Sequence, residues 1–446
     1  MRIQSFILLF GMIVPLQAQD GERFPPKLPN GQTAITLSDP AFLKAPVDLP
    51  KEVGIAKTVP TVDFQFYPGQ TYAGKPWSNW GDGLAIDGKY YSAIGDHLAP
   101  HGNAYVYEYD DATKTLKQLV DVRKLLKLPE GHYTPGKIHS RIDLGSDGWL
   151  YFATHRGSTR ITTAQYHYQG DWIIRHHPQK GLTEIVKHAP LPFQCMPTSV
   201  LDPQRLIFYA GTQDGANVKK PQFLAYDVKD NKLVFSHEVG PARYMIFAPS
   251  TGRVYFHQRP EGKDKADAVE ALYRFDPAKP DQLTPIDAKI VLRAATEESK
   301  SGKVYTIDRN QLWVFDTKTE KAELIGDPTI GGPDYVTSID LDPKTERYLY
   351  YIPGAHGGAE RIGTPLVQFD LKTKTKKVIA FLYAPIHAKA GFVPIGTFST
   401  AVSPDGARVY VTWNGATQIP SPLPKKVPFE VCAFSVVHIP ASERLP

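Results

Sequence analysis

A polar turn, then an aromatic-rich strand, then a second strand that usually ends near Asp: this unit occurs seven times along the chain. The copies begin at Asp87-Gly88, Asp147-Gly148, Asp202-Pro203, Thr251-Gly252, Ser301-Gly302, Thr345-Glu346 and Asp405-Gly406. Their starts lie about 50 residues apart, the period of a four-stranded propeller blade. The expectation is an all-β, seven-bladed β-propeller of four-stranded blades, with units over 78–128, 134–190, 196–240, 242–287, 288–328, 335–383 and 396–440. The 23 Tyr, 21 Phe and 6 Trp suit half-buried strands of this kind.

Second strands such as Ala104 to Asp110, Phe223 to Asp227, Leu272 to Asp276, Gln311 to Asp316 and Leu366 to Asp370 alternate apolar and polar residues before a Lys/Thr/Asp turn. The seventh unit lacks the Asp ending and carries a Pro-rich insertion before Phe429. The run Val122 to Leu128 reads as a short connecting helix. Residues 1–18 read as a secretory leader, with Arg2, an apolar stretch from Phe6 to Leu16 and a cleavage site after Ala18. That stretch falls far short of the ~20 residues a spanning helix needs, so the chain is read as secreted or periplasmic with no membrane span. Residues 19–60 then form an arm, and the propeller domain covers 61–446, with Thr61 to Tyr67 supplying a strand to the last blade. That closure would remove open sheet edges. Cys195 and Cys432 fall in distant units and read as two separate buried thiols.

A propeller sends the loop after the second strand of each blade to one face, together with the junctions between blades. Those loops hold His97 and His101, His155-Arg156, Gln213-Asp214, His257 with Arg259, and His356 with Arg361. The junctions hold Lys137, His139 and Arg141, then Cys195, then Arg243-Tyr244. Guanidinium groups bind carboxylate or sulfate oxygens in bidentate fashion, and imidazoles change proton state near neutral pH. Such a face suits an anionic ligand. Net charge is only +5, and basic residues do not gather into runs with interleaved aromatics, so nucleic acid is not expected.

The chain has no Gly-x-Ser-x-Gly elbow, zinc-protease helix, P-loop or dinucleotide glycine motif. His, Tyr and Arg together suit β-elimination across C4–O4 of a uronic acid residue, in which the C5 proton leaves while the carboxylate is neutralised. A non-catalytic propeller that captures an anionic glycan or a protein partner is the alternative.

In its seven-unit ring and its His-Tyr-Arg order, the chain resembles the seven-bladed propeller polysaccharide lyases, a group including ulvan lyases and, more distantly, oligogalacturonate lyases. The resemblance matches His139, His155, Tyr244 and Arg259 to the family's catalytic residues. It implies Tyr244 as the acid/base, His155 as its partner in proton transfer or neutralisation, and His139 with Arg259 on the uronate carboxylate. Arg141, Arg156, Arg243, His257, His356, Arg361, Gln213 and His97 are the expected substrate-binding residues. The implied partner is an anionic polysaccharide, with sulfated, ulvan-like glycans among the candidates, and the expected state is a monomer. No cofactor is required for this chemistry. Some such lyases carry a structural metal on His ligands, and no ligand set for one is apparent in this chain.

Overall fold

The computed structural model describes residues 24–71, 77–96, 101–216, 221–241, 243–258, 270–417, 419, 424 and 427–444. The residues read as a leader, 1–18, and the expected site residues His97 and Arg259 lie outside the described residues. Seven antiparallel sheets follow one another along the chain, each with its first strand innermost. Blades 1 to 6 span roughly the predicted units, from Trp77–Ser78 in blade 1 to Thr375–Phe381 in blade 6. Blade 7 joins Val393–Val402, Arg408–Ala416 and Val431–His438 to Thr61–Phe66 from the other end of the chain. Phe64 pairs with Ser435, and Thr61 with His438. The arm adds two further strands: Ile35–Leu37 on the edge of blade 7, and Val53–Ile55, parallel, on the edge of blade 6.

The repeated Asp has a specific duty. Asp110, Asp227, Asp316 and Asp370 each accept two backbone N–H groups from the following turn, and Asp276 accepts one. A short carboxylate thus replaces carbonyl partners that a tight turn cannot supply. At the other end of the unit, Asp87 (φ 49°) and Gly88 (φ 73°) are both left-handed, as the hairpin turns that match strand twist require.

The aromatic residues pack between blades. Tyr90 of blade 1 stacks on Tyr410 of blade 7 at 5.2 Å, and Phe223 of blade 3 on Phe256 of blade 4 at 4.9 Å. Both cysteines are buried and unbridged. The connecting helix occupies Val122–Leu126; a second helix, Tyr383–Ala390, links blades 6 and 7 and has no strong periodic signature in the sequence. No helix among the described residues is long and apolar enough to cross a membrane.

Candidate functional site

Near the ring axis the innermost strands are broken. Blade 1 has Trp77–Ser78 and Leu84–Ile86 separated by Asn79 to Gly83, and blade 2 has Lys137–Ile138 and Asp143–Leu144 separated by His139 to Ile142. Residues in these gaps are released from strict in-out alternation and line the axis. Glycines permit the close approach this demands. A Cβ on Gly81 would stand 2.2 Å from the Ser140 carbonyl oxygen, and one on Gly136 would stand 2.5 Å from that of Asp96 and 2.7 Å from the Gly157 Cα. Gly136→Ala should therefore force blades 1 and 2 apart beside Lys137, with a loss of about 1–3 kcal/mol in denaturant titration. A stability equal to that of the parent would show the junction to be soft.

Around this axis the chain assembles cations, imidazoles and aromatic rings from six of the seven blades or their junctions. Trp80 lies at its centre. The Lys137 Nζ is 4.9 Å from the Trp80 ring centroid, and the rings of His139, His356 and Phe398 lie 6.0, 5.8 and 4.5 Å from it. His139 and His155 are neighbours, with centroids 5.4 Å apart. His356 stacks on Tyr335 at 4.8 Å, and Arg293 lies over the same Tyr335 ring at 5.0 Å while its Nε donates to the Tyr335 hydroxyl at 2.6 Å. Arg243, exposed at the junction before blade 4, lines a neck of about 20 Å³ together with Trp80, His139, Tyr244, Arg293 and Phe398.

Burial shapes the electrostatics. His139 and His155 are held well below the ordinary imidazole range, first by desolvation and then by the basic groups beside them, Lys137 with Arg243 or Arg156. His155 is 4 % exposed; its Nδ1 donates to the Arg156 carbonyl at 2.9 Å. Arg156 in turn donates to the Cys195 sulfur. Beneath them Asp171, bonded by Thr154 (2.6 Å) and Tyr133 (3.0 Å), is pushed up to about 7 by burial.

Tyr244 and Arg141 line the neck and also an adjoining cavity of about 270 Å³, which they share with Asp82, Glu297 and Asp340. The Tyr244 hydroxyl donates to the Ala295 carbonyl at 3.1 Å; burial and the neighbouring Asp82 push the phenol well above its usual range. Arg141, expected to hold a ligand, is instead ion-paired to Glu297 (2.6 Å) and Asp143 (3.2 Å). The strand break turns it toward these acids at the edge of the neck.

Of the other expected residues, Gln213 lies at the end of its strand opposite Cys195, its carbonyl accepting from the thiol at 3.2 Å. His257 is 9 % exposed, with Nδ1 buried and unpartnered, and makes no ring contact with the cluster. Arg361 is exposed and donates to the Pro424 carbonyl at 2.8 Å, on the loop preceding the last strand. His101 is tied to the His132 carbonyl and packs on Tyr166 rather than on the axis. Arg293, Trp80, Tyr335 and Phe398 were missed by loop reading because they sit on innermost strands and junctions. Their sequence signal is position just before or within the first strand of a unit. Among the described residues, no group of three or more His, Cys, Asp or Glu could hold a metal ion.

No protein-family model matches the chain, and no curated protein matches it in sequence. Among solved structures it is similar to an oligogalacturonate lyase in complex with manganese, with a TM-score of 0.52 and 12 % identity over 94 % of this chain and 100 % of that one. An oligogalacturonate lyase from Vibrio parahaemolyticus gives a TM-score of 0.49 at 10 % identity, covering 92 % of this chain and 100 % of that one. The propeller domain of the Trilobed protease from Pyrococcus furiosus gives 0.45 at 11 % identity, over 82 % and 94 %. At such identities the likeness speaks for the fold: the chain is a seven-bladed β-propeller, a fold shared by lyases and by proteins of other kinds.

Proposed function

We propose that this protein is an exported polysaccharide lyase that cleaves a uronate-bearing glycan by β-elimination. The observation that carries the reading is the axial cluster, where Lys137, Arg156, Arg243 and Arg293 surround two neutral imidazoles beside the rings of Trp80, Tyr335 and Phe398. Aromatic faces suit the apolar side of a sugar ring, and guanidinium groups suit its carboxylate. The neck is too narrow for a sugar, so on this reading the uronate would rest above it, against Trp80, with Arg243 and Arg293 serving its carboxylate.

Those two cations would stabilise the charge that moves onto the carboxylate as C5 loses its proton. Tyr244, whose phenol stays protonated, suits a donor to the departing O4 better than a base. His155, engaged on both sides by Arg156, suits a positioning role. The similar lyase structure holds manganese, but the described residues of this chain supply no ligand set for such an ion.

Ultraviolet absorbance during incubation with ulvan, pectate, alginate, glycosaminoglycans and other glucuronate glycans tests the reading. A rise on one of them, from the unsaturated uronate, is the expected result and names the substrate class. A flat trace with retained glycan binding would replace the enzyme by a capture module.

A further inference from the structure

We propose that Lys137, buried against the face of Trp80 beside the neck, is the group that removes the C5 proton. The inference rests on the lyase reading and names a residue for which the resemblance implies no role.

Lys137 is 8 % exposed, unusual for a lysine. Among the described residues its Nζ has no hydrogen bond or ion pair; its one close partner is the face of Trp80, at 4.9 Å. Its backbone is pinned, because His155 pairs with Lys137 and Thr154 with Ile138 across the blade. The charged and titratable groups around it are Arg156, Arg243, Cys195, Asp171, His139 and His155. The two arginines repel an ammonium, the thiol is pushed up to about 12 by burial and stays neutral, and Asp171 is bonded by Tyr133 and Thr154. Burial first, and then Arg156, bring the amine down to about 7.

The alternatives around the neck are poorer bases. His139 and His155 sit well below the imidazole range, and Tyr244 sits well above the phenol range. A general base works best when its own value lies near the working pH. Lys137 meets that condition and stands near Arg243, one of the two cations that would hold the carboxylate.

The step balances as follows. The amine lone pair takes the C5 proton, and the C5–H electron pair becomes the C4=C5 double bond. The C4–O4 bond breaks with its electrons on O4, which takes a proton from the Tyr244 hydroxyl. Lys137 then releases its proton to water, and Tyr244 regains one from water.

Two measurements test this. Reductive methylation of the whole protein with ¹³C-formaldehyde, followed by NMR titration, should show one lysine signal titrating near neutrality that is missing from Lys137→Met. If every lysine titrates in the ordinary range, the proposal fails whatever the enzyme does. On the glycan identified by absorbance, Lys137→Met and Lys137→Arg should each lower kcat by about 10²–10⁴-fold, the contribution typical of a general base. Both should lose the limb of the pH–rate profile near neutrality while keeping a Tm at or above that of the parent. If Lys137→Arg keeps kcat and raises only KM, Lys137 is a carboxylate anchor and the proposal is overturned. A flat absorbance trace for the parent protein, with the neutral-range lysine still present, would sink the lyase reading and with it the proton-removal role, while leaving the neutral amine itself established.

Discussion

Arg293→Ala is expected to lower kcat/KM on the uronate glycan by about 10²–10³-fold, the cost of removing one preorganised group aimed at developing charge. The reason is position. Arg293 directly precedes the two-residue inner strand Ala294–Ala295, and its backbone N–H donates to the Ile307 carbonyl at 3.3 Å, so its side chain springs from a fixed point. The guanidinium is then held flat by Tyr335, which it both covers and hydrogen-bonds, and it also lies 6.0 Å from the Phe398 ring. It is 7 % exposed, and among the described residues it has no acidic partner to quench it. Arg293→Lys keeps the charge but not the planar fork or the stack, and should fall between the two. Steady-state kinetics together with Tm separate the roles. Activity within a few-fold of the parent at an unchanged Tm would move the carboxylate away from Arg293.

Asp63→Ala should destabilise the fold by about 1–3 kcal/mol, the range for losing charge-assisted hydrogen bonds whose other partners, Lys114 and His438, remain in reach of solvent. Asp63 lies in Thr61–Phe66, the N-terminal strand that completes blade 7, with its side chain 4 % exposed. It accepts from His438 Nε2 at 2.8 Å on the C-terminal strand, from Lys114 Nζ at 2.9 Å on blade 1, and from Thr36 on the arm. One carboxylate thus joins both chain ends and the neighbouring blade where the ring closes. These bonds outweigh desolvation and hold Asp63 far below the ordinary carboxylate value. A depressed folded value gives stability that is complete above the unfolded value of about 3.9 and is lost as pH falls toward the folded one. Urea titration should therefore show the difference between parent and variant at neutral pH and see it shrink in acid. An undiminished gap at low pH would mean that packing, not ionisation, makes the clasp.

Much of the architecture was legible because its signals are local. Asp at the end of a strand caps the next turn through its own side chain, and Asp-Gly supplies the left-handed pair a tight hairpin needs. Neither depends on the rest of the chain: the Asp caps mark five of the blades, and the polar turn with its aromatic strand, repeated seven times, marks all seven. The arm's closing strand was legible too, since a ring of blades leaves an edge that needs covering.

The site was only partly legible, because it is made by convergence. His139, His155, Arg156, Arg243 and His356 could be placed on one face from loop order; that they meet near the axis is seen only in the structure. Which of them points upward could not be read, because the inner strands break at Asn79 to Gly83 and His139 to Ile142 and the strand period no longer assigns sides. That break turns Arg141, which lines the neck, toward Glu297 and Asp143. It also brings Trp80 over Lys137 from a different blade. Turn chemistry travels with the residues that perform it; the charge state of a buried amine depends on which neighbours remove its water, and only the closed ring decides that.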